Sequence, residues 1–199
     1  MDEQIKKLSE QLVKNGLTKA LRSAEFAQSG RNYHRRVGSV VQVINVQFSR
    51  LNYGSERGFY VNVAFAFDEY RNFVAIPINE TPFEYTCESR HRLEYMVPGT
   101  PHEWVMNPGA NIEEITNLLS EKIMALLEAI NDIDSLPKYL DAAQNHNWFA
   151  IPGDYSILAR FYRCLGNIKE SAKFWQLYQE FLADRDRASL ELLKKLEQE

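Results

Sequence analysis

Cysteine is scarce in this sequence, with only Cys87 and Cys164 among 199 residues. Two thiols so far apart exclude a disulfide framework and are expected to stay reduced. Long apolar runs are missing too: none approaches the about 18 residues that a spanning helix needs. The first twelve residues, Met1 to Leu12, lack the apolar centre of a secretory leader. These absences predict a cytosolic protein with no membrane association. A basic surplus is also lacking. The net charge of −4 argues against a nucleic-acid binder, because affinity for phosphate backbones comes from basic surface. Residues 1–110 carry 13 basic and 12 acidic side chains and residues 111–199 carry 10 and 15, so the acidity belongs to the C-terminal part. The one basic cluster, Arg31, Arg35 and Arg36, is short and flanked by strand signals, and reads as a solvated strand edge. There is no glycine-rich phosphate loop, no H-E-x-x-H and no G-x-S-x-G, so the common enzyme signatures are absent.

What is present is ordinary globular material, 45% hydrophobic and 25% charged, organised around two strands. In residues 40–48 and 59–67, β-branched and aromatic side chains recur at every second position. Between them, residues 51–58 are polar and hold Gly54 and Gly58, which predicts an antiparallel hairpin with a long loop. Period two puts Ile44, Val46 and Phe48 on one side, together with Val61, Val63, Phe65 and Phe67, a continuous apolar surface for helices to cover. The opposite side carries Asn45, Gln47 and Ser49 on the first strand and Tyr60 and Asn62 on the second. That row is either a solvated outer face or the floor of a binding site.

Around the hairpin the signals are uneven. Residues 2 to about 23 have a helical apolar stripe (Ile5, Leu8, Leu12, Val13) interrupted at Gly16 and resumed at Leu17 and Leu21. This predicts a kinked helix or two short ones, ending by Ser29-Gly30. Residues 31–37 read as a third strand. Residues 73–76 are apolar but precede Pro77 and Pro82, which suit an edge strand or loop, and 83–96 read as extended. A helix over 111 to about 131 is capped by Asn111 with Glu114 and striped by Ile112, Ile115, Leu119, Ile123, Leu126 and Ile130. Beyond Asp132 the pattern turns all-helical, with helices at about 137–146, 154–165 and 168–183 and a last charged one from Arg185 to Lys195. Leu158-Ala159, Tyr162, Gly166, Ser171 and Trp175 sit near tetratricopeptide offsets. Since 34 residues upstream stand Ala125 and Glu128, the period is not sustained, and a plain helical hairpin is the simpler reading. The expected architecture is an α+β domain over 1–131, an antiparallel sheet covered by helices, and an all-helical appendage over 132–199.

Residues 17 to about 131 resemble a bacterial domain of unknown function, number 4304. The residues that carry the resemblance are Phe26, Gly30, the run 43–49, the aromatic-led 59–63, the stretch Cys87-Glu88-Ser89-Arg90-His91-Arg92-Leu93, and Trp104. Where the family pattern has paired tryptophans this chain has Trp104-Val105, and 68–85 does not align. The resemblance implies an α+β fold and brings no activity with it.

Candidate chemistry is sparse. Cys87, His91 and His102 fall short of the four ligands and paired short spacings of a structural zinc site, so no metal and no cofactor is expected. As nucleophile and base, Cys87 and His91 would stand about 13 Å apart along a strand at about 3.3 Å per residue, too far for proton transfer. Arg90 and Arg92 are two apart, hence on one face of a strand. With Asn45, Gln47 and Asn62 they would form a site for a carboxylate or phosphate, because arginine binds such groups through parallel hydrogen bonds. Alternatively they pair at the surface with Glu88, Glu94 or Glu103. The sequence therefore supports two classes. One is a non-catalytic binding or interaction protein, its partner an unidentified protein or anionic small molecule. The other is a small-molecule enzyme with an arginine anion site and an acid or base such as His34.

Overall fold

The computed structural model describes residues 3–50, 56–149 and 151–196, and the chain divides into two compact units, Met1–Trp148 and Phe149–Glu199. The first holds a six-stranded antiparallel sheet. Strands β1 (Ala27–Ser29), β2 (Asn32–Val37), β3 (Val40–Phe48), β4 (Arg57–Phe67) and β5 (Ser89–Arg92) lie in that order, and β6 (Trp104–Met106) also pairs with β4. The hairpin is β3–β4, in the register Ile44↔Val63, Val46↔Val61 and Phe48↔Phe59. Its expected core side is buried throughout β4. Residues 51–55 of the expected hairpin loop lie outside the described residues.

Helices cover this inner face. The N-terminal segment is continuous through Gly16: α1 (Glu3–Val13), a π-helical turn (Lys14–Thr18) and α2 (Lys19–Ser23). Gly16 abuts helix α5 (Ile112–Ile130), where a Cβ would come within 3.0 Å of the Thr116 carbonyl and 3.1 Å of Leu119. Close approach, and not a break, is what this glycine serves. On α5 the buried side chains are Leu119, Ile123, Leu126, Leu127 and Ile130, and Asn111 Oδ1 accepts from the Glu114 N–H at 3.3 Å. At the other end Gln42 Nε2, on the inner face, donates to the carbonyls of Ile130 (2.8 Å) and Ile133 (3.3 Å). Gln42 thus ties the C-terminal end of α5 and the residues just after it to the sheet.

The expected boundary near residue 131 falls instead after Trp148, and the reason is helix α6 (Leu136–Asn145). Tyr139 is fully buried, with its ring centroid 4.9 Å from those of both Phe65 and Phe67 on β4. Its hydroxyl meets Ser89 Oγ and lies 2.7 Å from His91 Nε2, both on β5. Ser89 Oγ is also 2.9 Å from that nitrogen. Burial lowers the pKa of His91 to about 4, so the ring stays neutral. Nearby, Gly38 turns β2 into β3 with φ of 57°, and Ser39 bonds the Asp134 carbonyl ahead of α6 through N–H and hydroxyl.

Four features depart from the expectations. Of Arg31, Arg35 and Arg36, expected at a solvated edge, Arg31 and Arg36 are exposed and β1 pairs with β2 only over residues 32–34, so Arg35 alone departs. Arg35 turns inward to Gln42 Oε1 at 2.8 Å, and Arg36 bonds Asp68 and Glu80. Helix α3 (Asp68–Phe73) is not among the expected elements, although residues 74–76 after it form the turn and loop that Pro77 and Pro82 suit. Residues 83–96 form a 3-10 turn (Glu84–Thr86), β5 and the short helix α4 (Leu93–Met96). Trp104 is buried in β6, stacked on Phe59 at 6.3 Å.

In the second unit α7 (Tyr155–Cys164) and α8 (Ile168–Leu196) form a helical hairpin. Ser171 Oγ donates to the Ala159 carbonyl at 2.8 Å, and Asn167 Oδ1 caps α8 through the Glu170 N–H. The aromatic between the helices is Phe174, stacked on Tyr162 at 5.5 Å, whereas Trp175 is exposed. Among the described residues no helix is long and apolar enough to cross a membrane.

Candidate functional site

The outer face of the sheet is where the polar side chains of the strands gather. The tight turn at Val37↔Val40 sets Asn32 opposite Asn45, and the hairpin register sets Asn45 opposite Asn62. Asn62 is in turn opposite Arg92 on β5. Directly paired residues on neighbouring strands project from the same face, so one polar row crosses four strands. Its amides are chained. Asn45 Nδ2 donates to Asn32 Oδ1 at 2.9 Å, and Asn62 Nδ2 donates to Asn45 Oδ1 at 3.0 Å and to Gln47 Oε1 at 3.1 Å.

Every donor in this chain points away from β5, so the chain ends at Asn62 Oδ1. That oxygen is buried and meets no hydrogen-bond partner among the described residues. Beside it in the register stands Arg92, whose guanidinium carbon lies 4.1 Å from the centroid of Tyr60. Its Nη1 is likewise buried and without a partner, and no carboxylate among the described residues pairs with it. One acceptor and one cationic donor are therefore left over, side by side, in a region where an unmade hydrogen bond costs about 1–3 kcal/mol.

All five residues named from sequence, Asn45, Gln47, Asn62, Arg90 and Arg92, share this face, and four of them are hydrogen-bonded together. The arginines are not an equal pair. Arg90 Nη2 sits 3.3 Å from Glu84 and 3.4 Å from Gln47 Oε1, so its charge is already opposed, though by a glutamate other than the three expected. Sequence reasoning misses Asn32. Its signal is the tight turn at Gly38-Ser39, which fixes the register once both strands are accepted. Glu84 is missed as well, because its segment has no periodicity.

The adjoining row, His34–Val43–Ala64–Arg90, is crossed by a strap, residues 74–88. The strap is closed at its ends by a buried ion pair, Arg71 Nε to Glu88 Oε1 at 2.8 Å, with Glu88 Oε2 accepting the Phe67 N–H. It is pinned at Pro82, whose carbonyl accepts from His34 Nε2 at 2.9 Å, and at Glu84 by Arg90. Beneath it Val41, Val43, Ala64 and Ala66 are buried, with Cys87 packed against them. The outer face is thus half apolar floor under the strap and half polar row beside it.

The remaining reactive side chains are each engaged elsewhere. His34 holds the strap, Glu88 holds Arg71, and His91 lies on the inner face with Tyr139. His34 and Arg90 stand three strands apart, roughly 14 Å at about 4.8 Å per strand. Cys87 Sγ meets the Phe83 carbonyl, and burial, reinforced by Glu88, pushes its thiol up to about 12. His102 Nδ1 pairs with Glu94 at 2.8 Å. Cys87, His91 and His102 therefore go to three different places. Among the described residues no three His, Cys, Asp or Glu side chains gather as a metal site.

Neither the curated proteins nor the solved structures contain a match to this chain. One family does match, over residues 17–196, so that the C-terminal helices belong to the pattern as well as the sheet. The chain is a member of the family described as a domain of unknown function (DUF4304).

Proposed function

We propose that this protein is a non-catalytic cytosolic binding protein whose outer sheet face holds an anionic group, with Arg92 as the cation and the Asn32–Asn45–Asn62 chain as the fixed polar support. A single observation carries this reading: Arg92 Nη1 and Asn62 Oδ1 are neighbours in register, both buried, and both without partners among the described residues. A buried cationic donor calls for an anionic oxygen, and a buried carbonyl oxygen calls for a hydrogen. The ligand chemistry that satisfies both is an oxyanion that keeps an O–H, such as hydrogen phosphate or a hydroxy-carboxylate. A bare acceptor such as sulfate would be held by Arg92 and repelled by Asn62.

The test is calorimetric titration of the full chain with inorganic phosphate and with sulfate at neutral pH and constant ionic strength. Phosphate is expected to bind and sulfate to bind more weakly. Arg92→Ala should weaken phosphate binding roughly tenfold or more, since a charge-assisted contact is lost. Equal binding of both anions, or phosphate binding that survives Arg92→Ala unchanged, would refute the reading.

A further inference from the structure

The largest departure from regular helix in the first unit is the π-helical turn Lys14–Thr18, and such turns recur where a helix has been reshaped around a site. Beneath it lies a cleft of about 360 Å³, within the size range of small-molecule sites. This cleft is on the inner side of the sheet, at the corner of β1, β2 and β3, so it is distinct from the outer row and does not depend on it. Its apolar floor is Val13, Val46 and Phe48.

One wall is a chain of hydrogen bonds that leaves nothing over. Arg22 Nη2 donates to Gln28 Oε1 (3.1 Å), and Gln28 Nε2 donates to the Tyr33 hydroxyl (3.2 Å). Tyr33 in turn donates to Thr18 Oγ1 (2.7 Å), which donates to the Val13 carbonyl (3.2 Å). Burial raises the Tyr33 pKa, so its phenol keeps the proton this chain needs. From Gln28 through Tyr33 to Thr18 the wall is neutral, and its only charge is Arg22 at the outer end.

The rim is not neutral. Lys14, Arg22 and Arg31 line the cleft against a single acid, Glu10, and none of the three makes an ion pair among the described residues. Arg31 lies over the floor, 4.6 Å from the centroid of Phe48. A second hollow of about 340 Å³ shares Lys14, Thr18 and Arg22 and adds Lys19, so the positive rim continues along the helix. Unlike the outer row, this site has cationic donors to offer and no orphaned acceptor.

We infer that the cleft under the π-helical turn binds a small organic acid, its apolar or aromatic body on Val13, Val46 and Phe48 and its carboxylate held by Arg22, Arg31 and Lys14. Burial of the body supplies the affinity, and the cations choose the sign of the head group.

The probe is 2-naphthoate, titrated calorimetrically into the full chain, with 2-naphthylmethanol as the uncharged counterpart and acetate as the head group alone. Naphthoate is expected to bind more tightly than either. The double variant Arg22→Gln, Arg31→Gln should weaken it roughly tenfold or more. Glu10→Gln should tighten it, a gain that damage to the fold cannot imitate. Arg92→Ala should leave it unchanged. The inference is overturned if naphthoate fails to bind at millimolar concentration, or if the alcohol or acetate binds as tightly. It is equally overturned if the double variant binds normally, if Glu10→Gln weakens binding, or if Arg92→Ala abolishes it. Phosphate discrimination by the outer row is measured separately, so either site can fail alone.

Discussion

Gln42 and Ser89 face the inner side of the sheet and Asn45 and Asn62 the outer side, and all four are buried. The inner groups are matched to helices: Gln42 takes the Ile130 carbonyl that ends α5 and the Ile133 carbonyl just beyond it, and Ser89 with His91 takes the hydroxyl of Tyr139 on α6. Each such bond fixes a helix in place. The outer groups are matched to one another, and their chain ends on an oxygen and a guanidinium nitrogen that meet no partner among the described residues. Polar burial alone therefore does not mark a site. Nor does one unmatched atom, since Trp148 Nε1 on the inner side also lacks a partner among the described residues; the outer row is set apart by a leftover acceptor standing beside a leftover cation.

If that contrast is correct, damage to the inner face should cost stability and damage to the outer row should cost binding. The largest effect is expected from Tyr139→Ala, which removes a ring packed on Phe65, Phe67 and Trp148. Loss of about 3–5 kcal/mol in urea unfolding is predicted. Arg71→Ala comes next. It leaves Glu88 buried without its counter-ion, a change worth about 3–5 kcal/mol at most, and it should open the strap to proteases between residues 72 and 86 before the sheet unfolds.

The third prediction concerns pH. His91 is neutral in the folded protein down to about 4, against 6.5 for the free side chain. Between those values the unfolded chain binds a proton that the folded chain does not. The stabilisation is complete above pH of about 6.5 and is lost as pH falls toward about 4, by on the order of 3 kcal/mol. Urea midpoints measured across that range should fall in the wild type, and a His91→Leu variant should lack this component. The smallest effect is on the other face. Arg92→Ala removes both a stacking contact on Tyr60 and a buried donor without a partner among the described residues, two effects of opposite sign, so stability should change by less than about 1 kcal/mol.

Much of the fold is legible in the sequence wherever a period can be read. The alternation in 40–48 and 59–67 yields both faces of β3 and β4, so the residue pattern by itself groups Asn45, Gln47 and Asn62 on one side. Arg90 and Arg92 follow from their spacing. What is not legible lacks a period altogether. β1 and β6 have three residues each and exist because a longer strand pairs with them. The strap is irregular and is held by Arg71–Glu88, a contact across 17 positions that no local pattern announces. α6 is amphipathic, which says that it packs but not on what. Sequence alone therefore places it in the appendage, whereas Tyr139 anchors it to β4 and β5. Which of two neighbouring arginines is already neutralised likewise depends on Glu84, whose place on the strap only the fold determines.

The contrast between the faces can be read in one spectrum. Side-chain N–H resonances of Asn45, Asn62, Gln42 and Arg92 in the labelled full chain would be followed by NMR during titration with phosphate and, separately, with sulfate. The account predicts saturable shifts of Arg92, Asn62 and Asn45 with phosphate, weaker ones with sulfate, and no movement of Gln42 in either. Shifts that are the same for both anions, or that appear at Gln42 as strongly as at Asn62, would contradict it.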